Sequence, residues 1–94
     1  MAALTIALLQ LLPGPTADTA LERGLAACRQ AKARGADIAL FPELWNTGYT
    51  IPQDPAALRA LALPAGGGFA GAFARLAAEL GMALGVALLE QYAP

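Results

Sequence analysis

Three short runs of this chain are apolar at nearly every position, and they limit most of what it can fold into. They are Leu4 to Gln10, Ile38 to Phe41 and Met82 to Leu89. A strand with one wet face alternates apolar and polar residues, whereas a strand buried on both faces reads as a continuous apolar run. Helical periodicity fills the gaps between them. Leu21, Leu25 and Cys28 fall at i, i+4 and i+7, with Glu22, Arg29 and Lys32 mostly off that stripe. Thr16 or Asp18 offers an N-cap and Gly35 a C-cap, so a helix is predicted as far as about Arg34. Asp54 and Pro55 suit the cap and first position of a short helix over Ala56 to Leu61. Phe73, Leu76 and Leu80 align on a helix predicted from Phe69 to Leu80, closed by Gly81. Pro13-Gly14-Pro15, Thr47 to Pro55 and Leu63 to Gly68 read as loops.

The resulting order, β-α-β-α-β, predicts an α/β fold with parallel strands joined by right-handed crossovers. Strands that are apolar throughout predict a sheet covered by helices on both faces. Three strands make only part of such a sheet, with at least one edge open and the apolar faces half covered. No internal repeat or linker divides the 94 residues. At 57% hydrophobic the chain exceeds the roughly 45–50% of ordinary soluble domains, and resembles the interior of something larger.

Absent residue types exclude several chemistries. There is no His and no Ser, one Lys (Lys32) and one Cys (Cys28). A Ser-His-Asp or Cys-His site therefore cannot be assembled from this chain alone, and neither can a multi-Cys or His zinc site. Six basic against seven acidic residues leave no basic surface for a nucleic acid. One Cys cannot form an internal disulfide. Ala2 to Leu12 imitates the apolar core of a signal peptide, with Ala17 as a mock cleavage site. No Lys or Arg precedes that segment, and Thr5 and Gln10 interrupt it, so a buried first strand explains it better. No run approaches the roughly 18 apolar residues of a membrane span. A cytoplasmic protein without membrane attachment is the expectation.

The segment Ile38-Ala39-Leu40-Phe41-Pro42-Glu43 runs from a strand into a carboxylate at the strand's C-terminal end. In open α/β sheets that end is where ligands bind. A Glu in such apolar company is expected to be partly desolvated, which raises a carboxyl pKa toward the range of a general base. A Glu that caps a neighbouring helix or meets an Arg is the alternative. Trp45 and Tyr49 follow closely as pocket-lining or loop-anchoring aromatics. Asn46 and Thr47 are expected to hold the loop by local hydrogen bonds. Gly66-Gly67-Gly68 follows no strand and lacks a Gly-Lys-Ser/Thr ending, so it reads as a flexible loop rather than a phosphate cradle.

Cys28-Arg29-Gln30-Ala31, Arg34-Gly35-Ala36-Asp37-Ile38, Phe41-Pro42-Glu43-Leu44 and Thr47-Gly48-Tyr49 together resemble the nitrilase superfamily, the carbon–nitrogen hydrolases. Ile6-Ala7-Leu8-Leu9-Gln10 with Pro13, and Gly81-Met82-Ala83-Leu84-Gly85-Val86, resemble it too. The resemblance covers essentially the whole chain, as the N-terminal and incomplete portion of one domain. It implies an α-β-β-α sandwich, a Glu-Lys-Cys site, no metal or organic cofactor, and association into homo-oligomers. Amide or carbamoyl substrates are implied ahead of nitriles. Glu43 matches the family's general base, and Tyr49 is the position expected to bind substrate.

The family's order along the chain is Glu, Lys, Cys. Here the single Cys and single Lys both precede Glu43, so neither matches a catalytic position. Cys28 reads as a core thiol and Lys32 as a solvated residue near a helix C-terminus. The matching Lys and Cys are expected beyond Pro94. A truncated, non-catalytic homologue that docks on a larger subunit is the alternative function.

Overall fold

The apolar runs do become strands, but each strand takes only three residues of its run. In the computed structural model, which describes residues 3–49 and 51–91, β1 spans Ile6–Leu8, β2 spans Ile38–Leu40 and β3 spans Ala83–Gly85. They form one parallel sheet in the order β1-β2-β3, with Ile6 opposite Ile38 and Ile38 opposite Ala83. The strands are shorter than the runs because pairing stops where the chain leaves for the loops. Single bonds such as Leu9 N to Leu40 O (2.9 Å) and Phe41 N to Gly85 O (2.9 Å) close the ladder.

Helix α1 covers Ala17–Ala33. Thr16, rather than Asp18, is its N-cap. The Thr16 hydroxyl accepts from Thr19 N (3.1 Å), while Thr19 Oγ1 accepts from Thr16 N (3.1 Å). Asp18 lies in the first turn and Lys32 in the last, each favourable to the helix dipole. Gly35, at φ 90°, ends the helix as expected. Its N–H bonds Lys32 O and the Ala36 N–H bonds Ala31 O, a paired closure that only a left-handed residue at position 35 permits. Helix α2 (Pro55–Leu61) is capped by Asp54, which accepts from Ala57 N, and buries none of its residues. Helix α3 (Gly68–Leu80) ends at Gly81, at φ 61°.

The core lies between the sheet and the pair α1–α3. Ala7, Leu9, Ala39, Phe41, Leu84 and Val86 pack there with Cys28 and Ala31 of α1 and Phe73 and Leu76 of α3. The buried stripe of α1 is Ala20, Gly24, Ala27, Cys28 and Ala31, displaced from the predicted one, with Leu21 and Leu25 only half-buried. Small residues let the helix lie close, and the aromatics fill what remains. Phe41 packs on Trp45 (ring centroids 4.9 Å apart) and on Phe73 (5.2 Å).

Cover on the sheet is divided unevenly. Alternate residues of a strand face opposite sides, so Ile6, Leu8, Ile38 and Leu40 point away from the core. Nothing among the described residues covers that face, and Ile6, Leu8 and Leu40 are 52%, 67% and 40% exposed. The expectation of helices on both faces is therefore corrected. Strands added in the order 1-2-3 by right-handed crossovers place both connecting helices on the same side. Only a reversal of strand order would bring a helix to the other.

Candidate functional site

The C-terminal end of β2 is built by a turn that sends consecutive residues in different directions. Pro42 stops the ladder, Glu43 is exposed, and Leu44 adopts φ 52°. Trp45 then turns fully inward. Its Nε1–H donates to Ala20 O of α1 (2.9 Å) and its backbone N–H to Ala87 O beyond β3 (2.8 Å). Thr47 N and Gly48 N both donate to Leu44 O, at 3.1 and 2.7 Å.

Asn46 is the buried polar residue of the described chain, 5% exposed. Its Nδ2 donates to Leu61 O and Leu89 O, both at 3.3 Å, and its Oδ1 accepts from Leu89 N at 2.8 Å. One amide thus joins the turn after β2 to the end of α2 and to the stretch after β3. The local bonding expected of Asn46 is corrected to long-range bonding. Thr47 does bond locally, its hydroxyl donating to Gly48 O (2.9 Å). Sequence reading missed the reach of Asn46, since nothing near position 46 specifies partners 15 and 43 residues away.

Glu43 is exposed, and the expected desolvation is not found. The apolar residues before it are in or beside the sheet, while Glu43 itself lies in the bend that follows β2. Among the described residues it neither caps a helix nor meets an Arg. Among the described residues the ion pair is Arg29 with Glu79, at 3.1 Å between α1 and α3. Beside the turn lies an open apolar hollow of about 580 Å³, lined by Leu8 to Leu12 and Leu40 to Pro42 at the strands' C-terminal ends. No ionisable side chain lines it. Tyr49 closes the turn segment and stands 70% exposed.

Cys28 and Lys32 do not join Glu43. Cys28 is fully buried in the core, and desolvation pushes its thiol up to about 11. A nucleophilic thiol needs the opposite shift. Lys32 is exposed on the last turn of α1. Both readings from the sequence hold. Trp45 is a loop anchor, not a pocket wall. Among the described residues no three His, Cys, Asp or Glu side chains gather where a metal ion could be held. No helix there is long and apolar enough to cross a membrane.

No curated protein and no solved structure gives a significant match. A family model described as carbon-nitrogen hydrolase matches residues 5–94. The match takes in all three strands, the Glu43 turn and the three described helices, and the chain belongs to the carbon–nitrogen hydrolase family.

Proposed function

We propose that this chain is the N-terminal part of a nitrilase-like α-β-β-α domain and supplies Glu43 as the general base of a Glu-Lys-Cys hydrolase. The observation that carries this is a free, exposed carboxylate at the C-terminal end of the central strand, within a family match. In the reaction Glu43 takes the proton of a cysteine thiol, and the thiolate sulfur bonds to the carbon of an amide or carbamoyl group. A lysine stabilises the oxyanion, the carbon–nitrogen bond breaks, and ammonia leaves with a proton returned by Glu43. Glu43 then deprotonates the water that hydrolyses the thioester. The lysine and cysteine come from outside these residues, since Lys32 and Cys28 are unsuitable by exposure and burial. Tyr49 is proposed to orient the polar end of the substrate, and the bare face of the sheet to receive the second sheet of the sandwich. The complete domain is proposed to associate with copies of itself.

In the complete domain, Glu43→Gln should lower kcat by about 100-fold or more. In the chain alone the same change should hardly move the melting temperature, because Glu43 is exposed and has no hydrogen-bond or ion-pair partner among the described residues. The chain alone should leave glutamine, carbamoyl-amine and nitrile hydrolysis at background. Full activity of E43Q, or turnover by the chain alone that Cys28→Ala abolishes, would sink the proposal. The exposed apolar face also favours a second reading, a non-catalytic chain that docks on a larger subunit. Co-purification of a larger homologue, with a stop codon after Pro94, would favour that second reading.

A further inference from the structure

The residue after Glu43 is the single non-glycine position with positive φ among the described residues, Leu44 at 52°. Side chains disfavour that region, and a leucine stays there only where its surroundings over-determine the backbone. They do so here. Leu44 O is held by two backbone N–H groups, and the next two residues are pinned at four distant points, Ala20, Leu61, Ala87 and Leu89. Glu43 has no comparable restraint of its own, so its direction is inherited from the backbone that follows it. Without the left-handed residue the chain would continue outward, and Trp45 would not reach its slot against α1.

We propose that the left-handed turn at Leu44 aims the Glu43 carboxylate, with Leu44 as a positioning residue acting through its backbone and with Trp45 and Asn46 as the clamps. The proposal deepens the reading of Glu43 as general base and rests on it.

Three substitutions separate the possibilities. Asn tolerates the left-handed region and Val does not, while Val keeps the apolar character of Leu and Asn does not. In the complete domain, Leu44→Asn should keep kcat within about threefold. Leu44→Val should lower it by about 10- to 100-fold, with KM within about threefold, as expected of a displaced but intact catalytic group. Leu44→Ala, which removes the same packing as Asn without its tolerance, gives the same contrast if L44V does not fold. Amide hydrogen exchange at Gly48 and Trp45 in the chain alone should show protection kept in L44N and lost in L44V or L44A. The reverse order, with Val active and Asn inactive, would make Leu44 a packing residue and overturn the inference. Equal exchange in all variants would overturn it too. An active E43Q would instead bring down the general-base reading, so the two failures remain distinguishable.

Discussion

Cys28 and Glu43 show how far a residue's chemistry depends on where its neighbours go. The thiol sits four residues before the only lysine yet is fully buried in the core, and desolvation disfavours its charged form, so its pKa rises to about 11 from 9.0. Between these values the unfolded chain has released a proton that the folded chain still holds. Stability is therefore fully present below about pH 9 and is lost as the pH rises toward 11, by the order of 2 kcal/mol. Urea titrations of wild type and Cys28→Ala across that range should converge as pH rises, since only the wild type carries this linkage. A thiol reagent at pH 8 should label Cys28 only on unfolding. Fast labelling of the native chain would contradict the burial. Cys28 was legible as core from its place on an apolar stripe. The exposure of Glu43 was not, because it depends on a backbone reversal at Leu44 that no residue preference signals.

Among the elements, α1 is read most completely from its sequence, since caps and closing glycine act within a few residues. Its inner face is less obvious. The stripe of small residues looks too weak to be a packing surface, yet a small residue at position 24 is what admits the aromatics. A Cβ on Gly24 would stand 2.7 Å from Phe73 Cζ and 2.9 Å from Trp45 Nε1. Alanine is the better helix former by about 1 kcal/mol. Overpacking two buried rings costs about 1–3 kcal/mol, and disturbing the Trp45 bond to Ala20 O about 1 more. Gly24→Ala should therefore lower stability by about 1–3 kcal/mol net, measured by urea denaturation. A stabilised G24A would mean that Trp45 and Phe73 are looser than their contacts indicate.

For the molecule as a whole, the decisive feature is the difference between the two faces of the sheet. Leu8 and Leu40 on the bare face should be replaceable by Lys in the chain alone with stability held within about 0.5 kcal/mol. The same pair of changes should reduce binding of a hydrophobic dye and self-association seen by light scattering. In a domain whose second sheet covers that face, the same changes would bury two charges and should abolish soluble expression. Tolerance in both settings would show that this face is never covered.

The sequence by itself determined an α/β chain of three strands and capped helices, the helix stops, the core role of Cys28 and the family to which the chain belongs. All of these depend on contacts or preferences within a few residues, or on motifs read as they stand. The tertiary structure alone decided which sheet face is covered, how Asn46 spans three segments, and that Glu43 stands free at the end of β2. Those outcomes depend on crossover handedness and on pairings across tens of residues, where many partners are compatible with the same local pattern and only the packed whole selects one.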